Sequence, residues 1–269
     1  MKKYFLIVIT NTIILSSCSQ DSTFLGPGYR WDLFKNTPNW DLAKAVAKED
    51  TAEIYAIVKS GKAEINLQEP KFGRTLLMLA VGNDKELSTA ALLKMEADVK
   101  LRDKRDYQAI HEAVAYIDLR KNSLGILKLL LEYGSDVNSV STKGSNAVPL
   151  QGAIENISCT KLLLKNGADT YFKNVDSDYV VWSDLCSDLN DNIYVAEYLI
   201  IEKRLPVPNP ILYTYPNHEP RNFYDLLSLV NLSNDPKKEK AKEDIINYLH
   251  QIDFPKKGVY QKSDTAMKK

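Results

Sequence analysis

A short phrase recurs along this chain with variation. Gly134-Ser135-Asp136-Val137-Asn138 returns as Gly167-Ala168-Asp169, and more loosely as Glu96-Ala97-Asp98-Val99 and Gly61-Lys62-Ala63-Glu64-Ile65-Asn66, each time closing a leucine-rich helical run. A second phrase precedes those runs, as Gly73-Arg74-Thr75-Leu76-Leu77-Met78, Asp106-Tyr107-Gln108-Ala109-Ile110-His111 and Gly144-Ser145-Asn146-Ala147-Val148-Pro149-Leu150. Between the equivalent apolar positions Leu42, Leu77, Ile110 and Leu150 the steps are 35, 33 and 40 residues. Self-similarity at roughly this period means stacked units rather than one globule.

The composition of each unit says why stacking is required. Ile126, Leu127, Leu129, Leu130 and Leu131 in one run, and Cys159, Leu162, Leu163 and Leu164 in the next, carry more apolar surface than an isolated helix pair can hide. Gly61, Gly134 and Gly167 fall where a second helix must close, and Pro149 falls where a first helix opens without needing its amide. From His111 to Gly134 is 23 residues against 18 from Met78 to Glu96, which predicts an insertion of about five residues around Tyr116 to Ser123. From Gln151 to Gly167 is only 16, which predicts a shortened inter-helix turn in the following unit.

In period and phrasing the chain resembles an ankyrin-repeat array. The family unit is a turn, a helix opening with Thr-Pro-Leu-His, a second helix ending in Leu-Leu and a Gly-Ala-Asp turn leading to the next finger. Thr75 matches the threonine, Pro149 the proline and His111 the histidine, so each unit keeps a different fragment of the signature. The resemblance implies an all-α solenoid of helix-turn-helix units with β-hairpin fingers, of about five units over residues 37–201. It also implies protein binding, and gives His111 the task of bonding the turn backbone.

The beginning of the chain reads as an address. Met1-Lys2-Lys3 is basic, residues 5–15 are an apolar stretch interrupted by Thr10, Asn11 and Thr12, and Leu15-Ser16-Ser17-Cys18 follows. The apolar run is shorter than the about 20 residues that span a bilayer. The stretch resembles a bacterial lipobox, which implies cleavage between Ser17 and Cys18 and acylation of Cys18. With Ser19 rather than Asp in the next position, the resemblance implies an outer-membrane lipoprotein facing the periplasm. Residues 18–36, with Gly26, Pro27 and Gly28, read as a tether.

The balance of charge excludes some partners. The whole chain has 35 basic and 35 acidic residues, and loss of residues 1–17 removes Lys2 and Lys3, leaving a net charge of −2. No basic stripe interleaved with aromatics runs along it, which argues against nucleic acid. Besides Cys18 there are Cys159 and Cys186, readable either as a disulfide or as two small buried hydrophobes. The histidines are His111, His218 and His250, without metal-ligand spacing, and no phosphate-binding glycine loop or nucleophile elbow occurs. No metal, no cofactor and no enzyme activity is expected; a hydrolase would need a nucleophile between His218 and His250, which the sequence does not supply.

The expected binding face is the row of fingers and the exposed side of the first helices, free of core duty. Its candidate residues are Lys71, Phe72, Arg102, Lys104, Arg105, Tyr107, Glu112, Tyr116, Lys143, Phe172, Asp176, Asp178 and Tyr179. Residues 100–107 contain four bases against two acids, whereas residues 175–192 contain Asp176, Asp178, Asp184, Asp188 and Asp191 without a base. A surface basic at one end and acidic at the other would orient a partner. Residues 202–222 hold five prolines and read as a loop, 223–253 as a degenerate repeat or cap with helices at 223–232 and 240–252, and 254–269 as a disordered basic tail. The expected partner is a protein: a toxic effector neutralised by an immunity protein, or a resident envelope enzyme held by a scaffold.

Overall fold

The computed structural model describes residues 26–115, 120–143, 147–173, 179–209, 222–232 and 234–255. Ten helices pair into five units: α1 (Trp40–Lys48) with α2 (Thr51–Lys59), α3 (Leu76–Gly82) with α4 (Glu86–Lys94), α5 (Ala109–Val114) with α6 (Ser123–Glu132), α7 (Pro149–Gly152) with α8 (Ile157–Lys165), and α9 (Val180–Ser187) with α10 (Leu189–Glu197). The first helices pack on one another in succession, and so do the second helices, giving the two layers of an all-α solenoid. The expected repeat markers Leu42, Leu77, Ile110 and Leu150 all lie in the continuous core between the layers, each 0–1% exposed.

The second, third and fourth units open at the same place with different chemistry. Thr75 caps α3 by accepting from Met78 N. At α5 the His111 ring accepts from Gln108 N, and Pro149 stands at the first position of α7. The closing turn is more uniform: Ala97 N donates to Leu92 O, Ser135 N to Leu130 O and Ala168 N to Leu163 O, the same bond across three units. Gly134 and Gly167 have φ of 83° and 87° there, whereas the second unit places Glu96 at φ 65°. The fourth unit is shortened in its first helix, a four-residue α7, and not in the expected inter-helix turn, which at 153–156 is no shorter than 83–85 of the second unit.

The fingers are hairpin turns closed by backbone bonds, Glu69 N to Arg74 O, Asp103 N to Tyr107 O and Ser141 N to Ala147 O, with no strand among the described residues. Asparagines staple successive turns. Asn66 Oδ1 accepts from Asp98 N, and Asn138 Oδ1 accepts from Asp169 N while its Nδ2 donates to Gly167 O.

Both ends of the array differ from expectation. Part of the segment read as a tether is folded: 3-10 turns at Pro27–Tyr29 and Trp31–Phe34 lie on the array, with Tyr29 and Phe34 buried. At the other end α10 runs into a π turn, Tyr198–Glu202, and α11 (Phe223–Leu229) and α12 (Pro236–Gln251) follow. The last helix starts four residues before the expected 240, because Asp235 accepts from Lys237 N and Lys238 N and Pro236 needs no amide at the first position. Ala241, Ile245 and Leu249 lie on its buried face, which covers α10. The prolines at 210, 216 and 220 and the tail from 256 lie outside the described residues. No described helix is long and apolar enough to cross a membrane.

Candidate binding face

Two buried carboxylates shape the fingertips. Glu69 is 1% exposed and accepts from Phe72 N and Arg74 N through Oε1 and from Lys71 N through Oε2. In the next finger Asp103 takes the same part, accepting from Arg105 N and Tyr107 N through Oδ1. A carboxylate that holds two or three backbone N–H groups fixes the loop around it. These two residues were absent from the expected set. No common spacing marks them, since Glu69 stands five residues before Arg74 and Asp103 four before Tyr107, the residues whose carbonyls close the two fingers.

Behind the tips lies an ionic cluster. Arg74 Nη2 and Arg105 Nη2 both donate to Glu112 Oε1, at 2.9 and 2.5 Å, and Arg105 Nε donates to Asp103 Oδ2 at 3.1 Å. Arg74 Nε stands 3.5 Å from the same Asp103 oxygen. Arg120 donates to the Glu112 carbonyl, and burial lowers its pKa. Tyr29 of the N-terminal segment completes the cluster, its hydroxyl donating to Glu112 Oε2 at 2.6 Å. Burial first, and then the Glu112 carboxylate, raises the Tyr29 pKa, so the phenol remains a donor.

The candidate residues therefore divide. Glu112 is 1% exposed and works inside the array, so it offers no surface to a partner. Arg102 is turned onto its own neighbours, donating to Asp106 O, Val140 O and Ser139 Oγ. Arg105 is half-exposed, with one face on Tyr107 at 4.6 Å and its donors on Asp103 and Glu112. Lys104 is exposed and reaches back to Pro70 O, and Lys143 Nζ lies 3.5 Å from Lys104 O. Lys71 is exposed over the half-buried Phe72 ring at 5.1 Å. Phe172 is half-buried and its carbonyl accepts from Val180 N. Tyr179 stands edge-on to Tyr171 and beneath Lys173 Nζ at 4.6 Å. Tyr116, Asp176, Asp178, His218, Ser17 and Cys18 lie outside the described residues.

These placements alter the expected polarity of the face. Lys71 over Phe72, Arg105 over Tyr107 and Lys173 over Tyr179 give three fingers a cation on an aromatic ring, including the finger expected to be acidic. Of the described acids at that end, Asp188 caps α10 and Asp191 pairs with Lys238 at 3.1 Å. Asp184 is half-buried, and burial raises its pKa. Charge that the sequence placed at a free surface is largely engaged in holding the chain together.

His111 does what the ankyrin phrase implies. Its Nδ1 accepts from Gln108 N at 3.1 Å, which leaves the proton on Nε2, facing Ser139 O at 3.0 Å. Burial lowers its pKa. His250 contacts Tyr224 OH at the array's end. Cys159 and Cys186 are both buried thiols on α8 and α9, and burial raises the Cys186 pKa. Among the described residues no group of His, Cys, Asp and Glu is arranged to hold a metal ion.

Comparison with known proteins agrees with this geometry. Residues 42–141 match the ankyrin-repeat family in three copies. A putative ankyrin repeat protein of Acanthamoeba polyphaga mimivirus is 26% identical over 140 residues, which are 51% of this chain and 18% of that protein. Inversin of Gallus gallus is 32% identical over 124 residues, 46% of this chain and 11% of inversin. This chain thus spans less than a fifth of the length of either relative. Ankyrin repeats imply a protein-interaction module.

Proposed function

We propose that this chain is a non-enzymatic protein-binding module, held at a bacterial envelope by lipid on Cys18, and that it neutralises a toxic effector acting in the periplasm. The observation that carries the binding reading is the row of cation-on-ring pairs along the fingertips. Aromatic and arginine side chains held rigid before binding lose little freedom on contact, and such residues dominate interface energies. The anchor reading is supported by Leu15-Ser16-Ser17-Cys18 after a basic and then apolar start. Acyl chains of a lipoprotein bind membranes firmly, each buried methylene contributing about 0.8 kcal/mol. Repeats in two distant relatives do not name the partner, and the immunity role is an analogy resting on an acylated, cofactor-free binder.

The test is capture from envelope extract, with wild-type protein beside a Lys71→Glu/Phe72→Ala variant. Those two side chains are at a fingertip and outside the ionic cluster, so the variant keeps the fold. A stoichiometric toxic enzyme retained by wild type and lost at least tenfold by the variant supports the full reading. A resident envelope enzyme retained in the same way points instead to a scaffold. Equal retention by both proteins removes the fingertips from the interface.

A further inference from the structure

The N-terminal segment makes a contact that the interaction reading does not use. Residues 26–30 cross the first-helix layer between the second and third units, and the ring of Tyr29 sits in a notch there. The notch is cut by Gly82 at the end of α3, where a Cβ would fall 2.6 Å from ring atom Cε1. Arg74 lies over the ring face, its guanidinium carbon 4.2 Å from the centroid. The hydroxyl meets Glu112 Oε2 at the bottom. Two main-chain carbonyls of the segment are also read: Gly28 O by Arg74 Nη1 and Tyr29 O by Asn83 Nδ2, each at 3.0 Å.

These contacts hold a short stretch of the chain's own backbone and one ring. The groups that make them come from the second finger, the end of α3 and α5, and they specify an aromatic ring, a donor at its far end and two adjacent carbonyls. The segment is held through Tyr29 and the carbonyls of residues 28 and 29, while Pro27 and Arg30 on either side are exposed, Arg30 pairs only with its neighbour Asp32, and Phe34 is buried against α1. We propose that residues 26–30 are a built-in occupant of the binding face, and that a partner segment bearing a tyrosine docks in the Gly82 notch by displacing Tyr29. This inference rests on the reading that partners meet the exposed side of the first helices.

Displacement has a second effect. A chain emerging from residue 30 rather than residue 25 gains five residues of reach, about 16–18 Å when extended. Partner binding would thus lengthen the connection to whatever holds the N-terminus.

The test uses a labelled synthetic peptide of residues 26–31 against three full-length proteins. Wild type has its notch filled, Tyr29→Ala has it empty, and Gly82→Ala has it blocked by the new methyl. We expect the peptide to bind Tyr29→Ala at least tenfold more tightly than wild type, and to bind Gly82→Ala no better than wild type. A peptide with phenylalanine at position 29 should bind Tyr29→Ala about tenfold more weakly, from loss of a hydrogen bond to a charged acceptor. Equal peptide binding by folded wild type and folded Tyr29→Ala overturns the proposal. Should Tyr29→Ala fail to fold, hydrogen exchange of wild type decides. Amides 28–30 exchanging orders of magnitude faster than those of α3 support a releasable strap, and equal protection overturns it. None of these readouts needs a partner, so a failed strap and a failed fingertip interface are told apart.

Discussion

Glu96 stands where Gly134 and Gly167 stand in later units, in the same left-handed conformation and making the same closing bonds, yet it carries a Cβ. A non-glycine residue in that region costs on the order of 1 kcal/mol, which the rest of the turn must offset. Glu96→Gly should therefore raise stability by up to about 1 kcal/mol, the relief being partly offset by the greater freedom of glycine in the unfolded chain. Urea denaturation measures this, and an unchanged or lower midpoint would show that Glu96 is not strained. His111 gives a pH dependence of known sign. Burial, which disfavours the charged ring, lowers its pKa below the ordinary value of about 6.5. The unfolded chain then binds more protons below pH 6.5, so the stability contributed by neutral His111 is complete above that value and is lost as pH falls below it. Thermal midpoints between pH 7.5 and 5 should fall for wild type and fall less for His111→Gln. Parallel curves would remove His111 from the effect.

Among the elements, α12 shows how an array ends. A terminal unit has one face without a neighbour, and α12 supplies Ala241, Ile245 and Leu249 to cover α10 while keeping lysines and glutamates outward. Truncation after residue 232 should leave the outer side of α10 exposed. Stability in a solenoid is close to a sum of unit and neighbour contributions, so the damage should be local. Hydrogen exchange should show α9 and α10 losing protection first, with α3 to α6 still slow. Uniform loss of protection would mean that the units unfold together. At the opposite end the first unit is bounded by Trp31–Phe34 on α1, so both ends of the array are closed by non-repeat segments.

For the whole molecule, the ionic cluster joins parts that the repeat pattern treats separately. Arg74 belongs to the second finger, Asp103 and Arg105 to the third, Glu112 to α5, and Tyr29 to the segment before the first unit. Removing one partner of such a buried group leaves an uncompensated charge, whereas the same residues at a surface would contribute little. The cluster therefore ties the register of fingers two and three to the placement of the N-terminal strap. It also explains why reversing the charge of Arg105, which looks from the sequence like a surface experiment, would disturb the array itself.

What the sequence determined by itself is the unit: its period, its apolar positions at Leu42, Leu77, Ile110 and Leu150, its closing glycines and the backbone task of His111. Those signals are local, each encoded within one helix or one turn, and the same solution is written several times. The tertiary structure decided how charge is used. Tyr29 and Glu112 are 83 residues apart and Arg74 and Glu112 are 38 apart, separations that no helical or turn periodicity marks. A basic finger read along the chain counts charges, but whether a guanidinium faces solvent or a neighbour's carboxylate depends on which loops stacking brings together. For the same reason the glycines near residue 26 read as a tether, since the notch at Gly82 and the carboxylate of Glu112 that receive Tyr29 exist only after the second and third units have stacked.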